Sequence, residues 1–158
     1  MDSDLIIRIM ADGAVVPIIL IGAYVLIFNI PKGQRLNAYK RVLLAGLTTY
    51  LIAKLIGAIY QPSDERPFEA LGTAAGASFL NNPGFPSDHA IFIASIAAAV
   101  WFETKQKWTT IILVGLVVVV CVGRVLALVH TPADVIGGIV VALVGALWYL
   151  NEPRKKSK

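Results

Sequence analysis

The chain contains only two histidines, His89 and His130, and each stands among residues able to handle an anion. His89 closes the run Phe85-Pro86-Ser87-Asp88-His89, and His130 follows Arg124 by six residues and precedes Asp134 by four. Arg66 stands before Pro67 in a separate segment. These residue types suit chemistry at phosphorus. Two guanidinium groups can clamp the non-bridging oxygens of a phosphoryl group and neutralise the charge that builds in its transition state. A histidine whose far ring nitrogen is held by a carboxylate is an oriented nucleophile, and Asp134 is spaced to hold His130. A second histidine, His89, can protonate the leaving oxygen. Helices opening at Ser87 and Thr131 would turn free backbone N–H groups and positive dipole ends toward the same anion. No set of Cys, His, Asp and Glu has the spacing of metal ligands, so metal-free catalysis without a cofactor is expected.

Each residue also has a plain structural reading, and the residues alone leave both open. Thr131-Pro132-Ala133-Asp134 is a good helix start, with Thr as N-cap, Pro at N1 and Asp at N3. Ser87 after Pro86 can simply cap a helix. Arg66 can meet lipid headgroups, Lys54 can snorkel to an interface, and Cys121, alone in an apolar run, reads as a small packing residue. What these readings leave unexplained is why the chemistry-bearing residues gather on one side of the molecule.

That gathering follows from the elements that carry them. The chain has 158 residues, 57% of them hydrophobic and 15% charged, with a mean hydropathy of +0.73. A soluble domain of this size cannot hide so much apolar surface, so the bilayer must act as solvent for much of it. Five spans are expected: residues 14–30 extended backward through 5–10 with a kink at Pro17, then 42–60, 88–102, 108–129 and 132–150. The expected fold is a single all-α, multi-pass transmembrane bundle over residues 1–158. Lys32, Arg35, Lys40 and Arg41, then Lys105 and Lys107, then Arg154, Lys155, Lys156 and Lys158 supply ten of the 14 Lys and Arg residues, all on one side if the spans alternate. By the positive-inside rule that side is cytoplasmic, which puts the N-terminus outside and the C-terminus inside. The net charge of +4 is therefore a topology signal at the inner leaflet, and no nucleic-acid partner is expected. The start Met1-Asp2-Ser3-Asp4 is acidic where a secretory signal is basic, so no cleaved signal is expected. Arg66, Ser87, His89, Arg124, His130 and Asp134 then all fall at the outer face. Arg124 and Lys54 sit within apolar helices near their outer ends, where an ionised group costs roughly 3 kcal/mol unless paired or wet.

These residues resemble the type 2 phosphatidic acid phosphatase superfamily of lipid phosphatases, whose motifs are KxxxxxxRP, PSGH and SRxxxxxHxxxD. The third motif is matched by Gly123-Arg124, His130 and Asp134, the second by Pro86-Ser87-Asp88-His89, and the first ends at Arg66-Pro67-Phe68. The similarity covers residues 54–138. It implies that His130 forms a phosphohistidine, that Asp134 orients it and that His89 is the general acid. Arg66, Arg124, Ser87 and the Asp88 backbone would hold the phosphate. Vanadium haloperoxidases have a similar site, but the membrane spans argue against that activity. Three departures stand out. Gly123 replaces the motif serine, and Asp88 replaces the motif glycine. The lysine is displaced, with Lys54 standing twelve residues before Arg66 rather than seven. A bulge at Pro62-Ser63-Asp64-Glu65 would bring Lys54 back to the phosphate.

Phe-Pro-Ser-Asp-His and Arg-Pro-Phe look like the bacterial undecaprenyl-diphosphate phosphatase branch. The resemblance thus implies a plasma-membrane enzyme that converts the diphosphate to the monophosphate, with its site facing the periplasm or exterior. Phosphatidate or phosphatidylglycerophosphate is the alternative substrate, and a non-catalytic lipid-headgroup-binding membrane protein is the alternative of another class. Phe68, Leu71, Ala75 and Phe79 fall at helical spacing. They predict a helix that either lies in the outer interface over the lipid entrance or packs on the bundle. Gly137, Gly138 and Gly145 predict close packing of the last span.

Overall fold

A computed structural model describes residues 2–63, 65–82 and 84–150, and no strand occurs among them. Asp64 and the basic tail residues Arg154, Lys155, Lys156 and Lys158 lie outside the described residues. Helix α1 (Ser3–Arg8) continues through a π-helical turn, Ile9–Gly13, into α2 (Val15–Phe28). A 3-10 turn at Lys32–Gln34 opens α3 (Arg35–Ile59), and the short α4 (Pro67–Ala70) lies in the long connection that follows. Then come α5 (Asp88–Thr104), α6 (Lys107–Leu126) and α7 (Pro132–Gly145), the last ending in a 3-10 turn, Ala146–Leu150.

Among the described residues, four continuous helical stretches are long and apolar enough to cross a membrane: Ser3–Phe28, Lys32–Ile59, Lys107–Leu126 and Pro132–Leu150. Their outward side chains, such as Leu20, Leu51, Trp108 and Ile136, are apolar and exposed, the pattern of a bundle solvated by lipid. Helix α5 has 17 residues, about 25 Å of helix at 1.5 Å per residue. It is the central helix, packed against α2, α3, α6 and α7. Small side chains at Ala90, Ala97 and Ala99 are buried there and let the neighbours approach. At the α5–α7 crossing, a Cβ on Gly138 would come within 2.8 Å of the Ser87 carbonyl oxygen. The close approach expected from the glycines of the last span is thus present. It fixes the start of α5 against the start of α7.

The irregularity in the first span is the π-helical turn Ile9–Gly13, which ends four residues before Pro17, at the carbonyl that a proline leaves without its usual N–H donor. One sequence expectation is corrected. The helix expected over residues 68–79 stops after α4, because Leu71 and Gly72 form a turn with Gly72 at φ +64°. Phe68 and Phe79 meet all the same, with ring centroids 4.9 Å apart, because the non-helical chain folds back on itself. Gly76 N–H donating to the Ala127 carbonyl, and Phe68 N–H to that of Leu128, bind this loop to the end of α6.

At the opposite end of the bundle, Arg41 on α3 donates to both carboxylate oxygens of Glu103 on α5, at 2.7 and 2.6 Å. Glu103 is nearly fully buried, so the pair ties two helices together where α5 ends. Lys105, in the left-handed conformation at φ 56°, then reverses the chain into α6.

Candidate active site

The site is assembled at the ends of helices. Thr131 caps α7 through a reciprocal box: its hydroxyl accepts the Asp134 N–H at 3.2 Å, and Asp134 Oδ2 accepts the Thr131 N–H at 2.7 Å. The same Oδ2 stands 3.5 Å from His130 Nδ1. The two readings of Asp134, helix cap and partner of the histidine, therefore describe one oxygen in one position. His130 Nδ1 and Arg124 Nε are both buried and make no hydrogen bond.

Ser87 caps α5, its hydroxyl facing the Ala90 N–H at 3.5 Å and its own N–H donating to the Asp134 carbonyl at 3.0 Å. It is completely buried. Asp88, His89, Arg66, Arg124 and His130 line one small cavity together with Leu80, Asn82 and Pro86. Three separate segments therefore bring both histidines and two arginines to one place. Ser87 does not line this cavity.

Arg66 is held by the chain itself. Nη1 donates to the Val129 carbonyl at 2.6 Å, and Nη2 to the Leu80 carbonyl, the Asn82 carbonyl and Asn82 Oδ1 at 3.1, 3.0 and 3.0 Å. The neighbouring α4 carries Glu69, whose side chain accepts the Arg66 N–H at 2.8 Å. Burial lowers the Arg66 guanidinium from its ordinary value and Glu69 opposes the shift, so it stays a cation. Arg124, only 1% exposed, donates through Nη1 to the Ser78 carbonyl at 2.6 Å and to Asp12 Oδ1 at 3.0 Å. Burial also lowers the His130 imidazole; Asp134 opposes this, and the nearby Arg124 and Arg66 add to it. His130 is therefore neutral near pH 7, the form in which a ring nitrogen carries a lone pair for attack.

Lys54 reaches the edge of this site. Its Nζ stands 3.5 Å from Asp88 Oδ1 and 5.4 Å from the centre of the Tyr50 ring, and it lines a neighbouring cavity of about 180 Å³ with Asn82, Phe85 and Asp88. Asn82 is the shared wall. Its Nδ2 donates to Asp88 Oδ2 at 2.8 Å while its Oδ1 accepts from Arg66, and it also borders a polar cavity of about 350 Å³ beside Arg66 and Asp134. The central cavity itself holds about 10 Å³, room for about one water and not for a phosphoryl group. Leu80 and Asn82 occupy the Arg66 Nη2 donors there.

Two residues absent from the sequence-based site are thus built into it, Asp12 and Asn82. An acid in an apolar helix is a signal that could have marked Asp12. Asn82 sits in an irregular loop and has no such signal. Among the described residues, no three His, Cys, Asp or Glu side chains cluster as metal ligands.

The sequence model of the PAP2 superfamily matches residues 36–158. The Escherichia coli (strain K12) protein named "Putative undecaprenyl-diphosphatase YbjG" is 35% identical over 77 residues, which is 46% of this chain and 37% of that protein. The chain therefore spans well under half the length of that relative. No solved structure gives a significant match.

Proposed function

Since the chain belongs to the PAP2 superfamily, we propose that it is a phosphatase acting on a membrane lipid, with undecaprenyl diphosphate as substrate and undecaprenyl phosphate as product. The observation that carries this reading is the convergence of Arg66, His89, Arg124 and His130 on one cavity, with Asp134 behind His130. The substrate rests on the Phe-Pro-Ser-Asp-His run and on the named activity of the similar Escherichia coli protein.

In the proposed mechanism His130 keeps its proton on Nδ1, facing Asp134, and attacks phosphorus through Nε2. An N–P bond forms as the bond to the leaving oxygen breaks, and His89 protonates that oxygen when it needs a proton. Arg66 and Arg124, with the Asp88 backbone at the start of α5, stabilise the equatorial oxygens, and the buried Ser87 holds that helix start in place. Lys54 reaches the outer phosphate through the Asp88 side. Water then attacks the phosphohistidine and releases phosphate, restoring neutral His130. No step calls for a metal ion.

The proposed setting has all residues in one domain and five helices across the plasma membrane, α5 included. The N-terminus lies outside, the C-terminus inside, and the site opens to the periplasm or exterior. Phosphate release from several lipids by the purified chain in EDTA tests the reading. Release from polyprenyl diphosphate is expected, and strict dependence on added divalent metal would sink the mechanism. Preferred release from phosphatidate, with a larger loss in His89→Ala on that substrate, would instead favour an alkoxide leaving group. Binding of anionic lipid with no turnover would make the chain a headgroup binder.

A further inference from the structure

The first helical stretch, Ser3–Phe28, lies before the segment matched by the family model, yet it reaches the site. Its π-helical turn, Ile9–Gly13, adds a residue to the helical ring, and π-turns recur where a helix must present a group out of register. Asp12 is in that turn. Its Oδ1 accepts from Arg124 Nη1 at 3.0 Å, and its Oδ2 accepts from the Ser78 N–H at 2.9 Å. The Ser78 carbonyl takes a second bond from the same Nη1 at 2.6 Å. Nη1 is thereby fixed by two acceptors, and the unpartnered Nε is on the same buried guanidinium.

A second observation points the same way. A Cβ at Gly123 would lie 2.6 Å from the Ala11 backbone nitrogen and 2.7 Å from the Met10 carbonyl carbon. The residue preceding Arg124, a serine in the motif this chain resembles, is a glycine because the backbone of the π-turn occupies that side-chain space.

We infer that Asp12 is a positioning residue for Arg124, delivered by a π-turn that fills the space of the side chain missing at Gly123. Its carboxylate fixes the rotation of the guanidinium and ties it to the loop at Ser78. The remaining donors of Arg124 are then aimed before substrate arrives, which reduces the ordering required in the transition state. The role of Asp12 in turnover rests on the lipid-phosphatase reading, whereas its hold on Arg124 does not.

The test uses the full chain purified in detergent micelles, with two readouts: kcat and KM on polyprenyl diphosphate, and calorimetric binding of orthovanadate, a mimic of five-coordinate phosphorus. Asp12→Asn should lower kcat/KM by about tenfold to 100-fold and weaken orthovanadate binding in parallel, at an unchanged helical circular-dichroism signal. Asp12→Glu should recover part of the loss, and Gly123→Ser, which displaces the turn, should reproduce it. In an Arg124→Lys background, Asp12→Asn should add almost nothing. Wild-type orthovanadate binding in Asp12→Asn, or a loss carried in full into the Arg124→Lys background, would overturn the inference. A wild-type chain that binds orthovanadate but releases no phosphate from any lipid overturns the phosphatase reading alone, and orthovanadate binding by Asp12→Asn then decides the role of Asp12. A wild-type chain that does neither overturns both.

Discussion

At the scale of single residues, one oxygen of Asp134 takes the Thr131 N–H and faces His130 Nδ1, so the cap of α7 and the orientation of the imidazole share a part. Replacing His130 removes only the ring. His130→Ala should lower phosphate release by at least about a thousandfold while leaving thermal unfolding nearly unchanged; activity within tenfold of wild type would remove it as nucleophile. The buried environment of His130 also sets a pH expectation. Burial and the two arginines lower its pKa, so the neutral, attacking form survives to more acidic pH than an ordinary histidine allows. The acid limb of kcat/KM, measured across pH 4 to 8, should therefore fall below the ordinary histidine value of about 6.5. A limb at or above that value would show that protonation of another group controls the rate. The spacing from Arg124 to Asp134 was legible because it lies along one short segment, which survives folding intact. The sequence concealed Asn82 and the partner of Arg124, because contacts between distant segments leave no local spacing to read.

At the scale of elements, two features control the site: the α5–α7 crossing and the loop segment Leu80–Asn82. Gly138 lets α7 approach the Ser87 carbonyl, and Gly138→Ala would force the two helix starts apart. The expected cost is about 1–3 kcal/mol of stability, read as a lower midpoint of thermal unfolding in micelles together with reduced turnover. The loop segment engages Arg66 and Asp88 with bonds that a bound anion would compete for. Removing the Asn82 side chain should free Arg66 for the anion. Asn82→Ala is expected to lower KM by about threefold to tenfold, whereas a raised KM would mean that the amide itself holds the substrate. Helical segments were legible from apolar run lengths, apart from how they end. The turn at Gly72 overrode a helical repeat in the loop. The irregular turn in the first helix lay four residues ahead of the proline that drew attention to it.

At the scale of the whole molecule, the proposed membrane orientation and the Arg41–Glu103 brace can each be tested. Cysteines introduced at Ser63 and Lys105 should separate under a membrane-impermeant maleimide, with labelling of intact cells only at Ser63. The native Cys121 is buried and should stay silent. Labelling at Lys105 instead would reverse the proposed orientation. At the other end of the bundle, Arg41→Ala would strand the carboxylate of Glu103, which is 3% exposed. That is expected to destabilise the fold by about 3–5 kcal/mol, more than the paired replacement of both residues by apolar ones, as thermal unfolding would read. The all-helical bundle was evident from composition, since apolar runs of this length have few other destinations. The central position of α5 was not, because it rests on packing against α2, α3, α6 and α7, which no single run of sequence displays.

The contact between Asp12 and Arg124 also has a bearing on biogenesis. The two residues are 112 positions apart, and the carboxylate belongs to the helix made earlier. A nascent chain is threaded into the bilayer from its N-terminus. The helix bearing Asp12 is therefore synthesised before α6, and the arginine can pair as soon as α6 packs against it.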